Sequence, residues 1–246
     1  MNLINICNLS KTYHTATKEI KALDNITYNI EENKITSIVG PSGCGKSTLL
    51  NLITSLEQPS SGIIRNNRLL TIGYMMQSSA LLPWLTVFDN ACLGLDIKKM
   101  RNKDSIEYIN NLLKKYDLYE FKDEYPNNLS GGMKQRLALI RTLAIKPNIL
   151  LLDEPFSKLD IETRKNISND VYKIIRELNI TTILITHDIE EALSLSDDVI
   201  ILTKRPGKIK AVYKLNFNSD ILPNERRKES IFNILYDDIR SNIDYE

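Results

Sequence analysis

The chain has 246 residues, 42% hydrophobic and 26% charged, which is enough apolar material for one sizeable core or a core carrying an inserted subdomain. Its 32 basic residues face 31 acidic ones, a balance that argues against a nucleic-acid binder, and the composition argues against disorder. The opening residues lack a basic start followed by an apolar block, and no run approaches the ~18 apolar residues of a membrane span. Cys7, Cys44 and Cys92 are scattered and odd in number, giving neither a disulfide framework nor a zinc pattern. The expectation is a soluble, cytosolic α/β protein.

In chain order, "KITSIVG" (34–40) reads as a strand buried on both faces, followed by a Gly-rich loop and a helix over 47–56. "TIGYMMQ" is a short strand-like run ending in Gln77. Residues 83–145 break the strand–helix rhythm: "DSIEYINNLLKKYDL" and its neighbours are helical, and a further helix is expected over 134–144. "NILLLDEP" (148–155), "ITTILITHD" (180–188) and "DVIILTK" (198–204) read as further strands, with a helix over 161–179. After Pro206 come a strand at "KIKAVYKL", a loop near Pro223 and an amphipathic helix from about Glu225, with mixed charges that argue against a membrane-surface role. This alternation is the signature of an α/β fold with a mainly parallel sheet. The expected organisation is one domain, with a nucleotide-binding core at 1–82 and 146–205, a helical subdomain at 83–145 and a tail at 206–246.

The stretch "GPSGCGKST" fits G-x-x-x-x-G-K-[ST] between a strand and a helix. Gly40, Gly43 and Gly45 let the backbone curl so that its N–H groups face phosphate oxygens. Lys46 should reach the β- and γ-phosphates, and Ser47 should offer its hydroxyl oxygen to Mg²⁺. Pro41, Ser42, Cys44 and Thr48 complete the expected nucleotide-binding loop. Cys44 reads as a tolerated small residue, with a reactive thiol as the lesser alternative.

Asp153 and Glu154 end an apolar strand, where a parallel sheet faces its ligands. Asp153 is expected to hold Mg²⁺ through a water, and Glu154 to polarise the attacking water. The plainer alternative is a strand end with solvated acids. His187 also ends a strand, expected beside that of Asp153, and is a candidate γ-phosphate contact. Gln77 is a candidate contact of Mg²⁺ or of the attacking water. "NNLSGGMKQR" (127–136) adds a second puzzle: Ser130, Gly131 and Gly132 prepare a helix N-terminus for an anion, far from the first loop.

Taken together, the loop at 40–48, Gln77, "LSGGMKQR", "LLLDEP", "SKLD" and His187 resemble an ATP-binding cassette (ABC) ATPase over roughly residues 3–210. The resemblance implies a P-loop NTPase fold with a small antiparallel β subdomain and an inserted helical subdomain. It also implies a head-to-tail homodimer, in which Ser130, Gly131 and Gly132 cap the γ-phosphate held by the partner's Lys46. Tyr13, in "LSKTYH", is placed to stack on adenine; otherwise it is an ordinary exposed strand tyrosine. Asp160 closes "SKLD", a loop that crosses the dimer interface in the family. Two departures stand out: Lys158 where a small residue is usual, and a short 62–76 segment where a longer hairpin is usual.

"LLPWLTVFDNACLGL" (81–95), with "LPWLTV" and a following Asn, resembles importers for nitrate, sulfonates and taurine, as does "THDIEEALSLSDDVIILTKRPGKI". That group includes importers of vitamin precursors. Trp84, the single tryptophan, is expected to be partly exposed where a permease docks, the alternative being a core aromatic. The implied assembly is two ATPase subunits with ATP and Mg²⁺, peripheral on the inner face of the cell membrane, below two permease subunits served by an extracytoplasmic solute-binding protein. The alternative is an exporter subunit or a non-transport ABC regulator.

Overall fold

The computed structural model describes residues 1–15, 17–157 and 159–243. Position 158, noted above, therefore lies outside the described residues. The chain folds as two compact units, residues 1–70 with 168–246, and residues 71–167.

The first unit opens with two long strands, β1 (Asn2–His14) and β2 (Glu19–Glu31), joined in sheet order β2-β1-β4 with β4 (Ser61–Asn66), all antiparallel. Neither β1 nor β2 stands out in the sequence, because bulges break their alternation. The pairing slips between Ile6 and Leu9, and Asn8 and Asn25 take left-handed conformations at φ 49° and 56°, which Asn tolerates best among non-glycine residues. Leu3, Ile4, Ile6, Leu9 and Ile26 nevertheless face the core. The short 62–76 segment supplies β4 alone to this sheet, then β5 (Ile72–Met75) in the second unit.

β3 (Ile35–Val39) lies between β7 (Thr181–Ile185) and β8 (Asp198–Leu202), parallel to both, and β9 (Ile209–Lys214) closes β8 antiparallel. Every residue of β3, β7 and β8 is buried, as a strand covered on both faces requires. α1 (Lys46–Ile53) and α6 (Ile189–Leu195) follow β3 and β7. In the tail, Pro223 opens a short helix, α7 (Pro223–Arg226), rather than lying in a loop. Its fixed φ suits a first helical position, where no N–H partner is needed. The single helix expected from about 225 is thus two, the second being α8 (Ser230–Asn242). Phe232 and Ile239 of α8 pack with Leu193, Ile201 and Leu215.

In the second unit β5 pairs in parallel with β6 (Ile149–Asp153). Around them stand α2 (Val87–Ile97), α3 (Lys103–Lys115), α4 (Gly131–Leu143) and the first turns of α5 (Ile161–Glu177). Thr86 caps α2 by accepting the Asp89 N–H, and Asn102 with Ser105 forms a capping box on α3. Ala91, Ile109, Leu113, Leu137 and Ile140 form the apolar interior that holds these helices together.

Candidate functional site

In the first unit the phosphate-loop candidates span the end of β3 and the start of α1. Gly43 and Gly45 have φ of +72° and +108°, left-handed values open to glycine at little cost. No side chain caps α1, whose N-cap is Gly45, so the first-turn amides and the helix dipole are available to an anion. Lys46 is buried, and its Nζ donates to Gly40 O at 2.7 Å and Pro41 O at 3.0 Å. The loop is thus closed on its own lysine. Ser42 and Ser47 are exposed, and Thr48 and Pro41 are half-buried. Cys44 is buried, and burial pushes its thiol pKa up, which opposes the reactive-thiol alternative.

Tyr13, near the end of β1, is half-buried. Its hydroxyl donates to Glu57 Oε2 at 2.7 Å, and Thr48 Oγ1 lies 3.3 Å from the same hydroxyl oxygen. Lys11 Nζ lies 3.2 Å from the same Glu57 oxygen and 5.0 Å from the Tyr13 ring centroid. Hydrogen bonds from Tyr13, Asn51 and Lys11 hold the Glu57 carboxyl below its usual range. The ring is therefore fixed to the helix that follows the phosphate loop. His187 is exposed on the turn between β7 and α6. That turn is set by Thr186 Oγ1, which donates to Glu191 Oε2 at 2.9 Å and accepts the Asp188 N–H at 3.0 Å.

The second unit brings together Gln77, Asp153 and Glu154. Asp153 ends β6 and is buried, with the Tyr74 hydroxyl 3.5 Å from its Oδ2. Burial first, and the neighbouring carboxylate second, push Tyr74 up to about 12. Gln77 Nε2 donates to Glu154 Oε2 at 2.8 Å. Glu154 itself has φ 46°, a left-handed conformation costing roughly 1–2 kcal/mol for a residue with a Cβ. Gln135 of α4 donates to Pro155 O, and Ser157 Oγ to Glu154 O at 3.0 Å, so the turn after β6 is held from both sides.

Ser130 is the N-cap of α4 and accepts the Met133 N–H at 3.3 Å. Ser130 and Gly131 are exposed. A Cβ on Gly131 would meet only Leu159 Cδ2, at an ordinary 3.7 Å, whereas one on Gly132 would press on Thr163 Cγ2 at 3.0 Å. A side chain at 132 is crowded by neighbours within the chain; one at 131 is not. Asp160 is exposed and accepts the Thr163 N–H at 2.9 Å, an interaction that lowers its pKa and caps α5.

Trp84 is 69% exposed, which excludes the core-aromatic alternative. Its loop is rigid underneath. Asn90, fully buried on α2, donates to the Leu82, Leu85 and Thr86 carbonyls at 3.0 Å each and accepts the Leu82 N–H at 2.9 Å. Arg141 of α4 donates to Ser79 O at 2.6 Å and Ala80 O at 2.7 Å, fixing the segment after Gln77. Arg141 and Glu57 carry no sequence signal of their own, because their partners are backbone carbonyls or residues not adjacent in sequence.

The described residues contain no helix long and apolar enough to cross a membrane. Residues 23–157 match the family model described as ABC transporter. A nitrate transport protein of Klebsiella oxytoca is 40% identical, over 83% of this chain and 82% of its own. An aliphatic sulfonates import ATP-binding protein of Bacillus cereus is 37% identical over 92% and 90%. Among solved structures, a dimeric, post-hydrolysis ATP-binding cassette bound to ADP and Pi is 32% identical, with a TM-score of 0.76 over 87% of this chain and 100% of that one. The chain belongs to the ABC transporter family as an ATP-binding, ATP-hydrolysing cassette.

Proposed function

We propose that this cassette powers an importer of the nitrate and sulfonate type, moving a small solute through a separate permease. The observation that carries the importer reading is Trp84. A large apolar side chain stands 69% exposed on a loop whose backbone is locked by a buried asparagine. Rigid, exposed tryptophan is costly unless something covers it, and such residues anchor protein interfaces. The permease docks there, at the inner face of the membrane, and an extracytoplasmic binding protein delivers the solute. The names of the nitrate and sulfonate relatives agree with this class.

At the nucleotide, Tyr13 stacks on adenine while the amides of 43–48 and Lys46 hold the phosphates. Ser47, Gln77 and, through a water, Asp153 are the candidate Mg²⁺ contacts, and their hydroxyl, amide and carboxylate oxygens are of the hard kind that Mg²⁺ prefers. A bound Mg²⁺ would neutralise phosphate charge. Glu154 accepts a proton from the attacking water, Gln77 orients that water and His187 donates to the γ-phosphate. Two cassettes pair head to tail, so that Ser130, Gly131, Gly132 and Asp160 meet nucleotide held by the partner. The lack of any steric demand for glycine at 131 within the chain supports a close approach by an external ligand. The same neighbour structure is dimeric.

The test is affinity capture of the tagged chain from solubilised native membranes, with mass spectrometry of the co-purified proteins. A multi-span permease in about equal amount is the expected result. Recovery from the soluble fraction alone, without a membrane partner, overturns the importer reading.

A further inference from the structure

We propose that Arg205 is a positioning residue for nucleotide binding, acting from outside the phosphate loop by holding the Gly43 carbonyl. The inference rests on the reading of residues 40–48 as that loop. Arg205 lies in the turn between β8 and β9. The turn is firmly built: the Thr203 N–H donates to Lys208 O at 2.9 Å, and Thr203 Oγ1 donates to Pro206 O at 3.0 Å and accepts the Lys208 N–H at 3.0 Å. It is stapled to β2, the Gly207 N–H donating to Ala22 O at 2.9 Å and the Asp24 N–H to Gly207 O at 3.0 Å. A Cβ at position 207 would fall 2.2 Å from Cys44 O, so the turn lies directly against the loop and only glycine fits.

From this base the exposed Arg205 guanidinium donates twice to one oxygen, Gly43 O, from Nε at 3.0 Å and Nη2 at 2.9 Å. The N–H at the other end of the same peptide, that of Cys44, donates to Pro41 O at 3.3 Å. The Gly43–Cys44 peptide is thereby held at both ends. This matters because Gly43, at φ +72°, lacks the Cβ that would restrict rotation of its peptide. A flipped plane would break both contacts and turn the Gly43 carbonyl oxygen toward that of Pro41, which repels it and distorts the loop. It would also redirect the amides of Gly45, Lys46 and Ser47 that follow. Lys46 holds the Gly40 and Pro41 carbonyls, and Arg205 holds that of Gly43. A planar cationic fork does this better than a point charge.

The test compares the purified full chain with Arg205→Ala, Arg205→Lys and Lys46→Ala, measuring the Kd for a fluorescent ATP analogue and for ADP, and KM and kcat for ATP. Arg205→Ala should weaken both nucleotides about five- to tenfold, as loss of a charge-assisted pair of hydrogen bonds implies, and raise KM far more than it lowers kcat. Arg205→Lys, which keeps the charge but not the fork, should recover only a small part of the affinity. Wild-type affinity in Arg205→Ala, with binding lost in Lys46→Ala, overturns the role of Arg205 and leaves the loop assignment standing. Full rescue by Arg205→Lys overturns positioning in favour of simple charge. Wild-type nucleotide affinity in Lys46→Ala removes the loop assignment itself, and the proposal with it.

Discussion

Gln77 and Glu154, 77 positions apart in the chain, share a 2.8 Å hydrogen bond from the amide nitrogen to a carboxylate oxygen. The bond fixes the carboxylate proposed to activate water. It also ties that carboxylate to a segment that continues, through Ser79 and Ala80 on Arg141, toward the Trp84 loop. A movement of the loop thus has a short physical route to the proposed base, all of it within one compact unit.

Replacing Glu154 by Gln keeps the size and one acceptor oxygen but removes the basic group. ATP turnover should fall by roughly 10²- to 10⁴-fold, the usual share of a general base, with ATP affinity retained. Light scattering with saturating MgATP should then show a stable dimer. A strictly monomeric Glu154→Gln variant would count against the shared-nucleotide arrangement.

Gly131→Ala makes the partner's role visible. Its added Cβ meets ordinary van der Waals contact only, so thermal stability and ATP affinity of the isolated chain should match wild type. ATPase activity and ATP-dependent dimerisation should fall at least about tenfold if a phosphate from the partner must approach this helix start. Unchanged activity would show that the turn serves only to cap its own helix.

At the proposed docking loop two substitutions should separate surface from support. Trp84→Ala removes an exposed side chain, so stability should change by less than about 0.5 kcal/mol, and basal ATPase should persist while solute uptake is lost. Asn90→Ala strands several part-buried backbone groups at once and should cost roughly 1–3 kcal/mol, read as a lowered urea midpoint. Full-rate uptake in Trp84→Ala would end the docking assignment.

Tyr13→Phe keeps the ring but releases it from Glu57 and Thr48. ATP affinity should weaken by about two- to fivefold, the worth of a modest hydrogen bond spent on orientation. Tyr13→Ala should weaken it further by removing the stacking surface. Equal affinities for the two variants in a fluorescence titration would show that the ring does not touch the base.

The cysteines offer a pH test. Cys7 is half-buried, while Cys44 and Cys92 are buried. Burial favours the neutral thiol and pushes Cys92 up from 9.0 to about 11. Its contribution to stability is therefore complete below pH 9 and is lost as pH rises toward 11. Near pH 8 a thiol-specific reagent should modify one cysteine quickly and all three only after unfolding, and the urea midpoint should fall between pH 9 and 11. Rapid reaction of two thiols in the folded chain at pH 8 would contradict this burial.

The parallel strands, the loop at 40–48, the carboxylate pair and the Ser-Gly-Gly turn were legible in the sequence because each is a local pattern. A continuous β-branched run can satisfy itself only between covered faces, and a glycine-rich turn before a helix declares its backbone needs directly. Tertiary structure alone decided the rest. β1 and β2 are hidden by bulges that break their period, and a proline suits a helix start and a loop alike, so local sequence does not place Pro223. Arg141, Asn90 and Arg205 draw their meaning from backbone carbonyls, and a carbonyl has no residue type that a sequence can display. What this protein can bind was written in its local motifs; how firmly those motifs are held was settled only when distant backbone met these side chains.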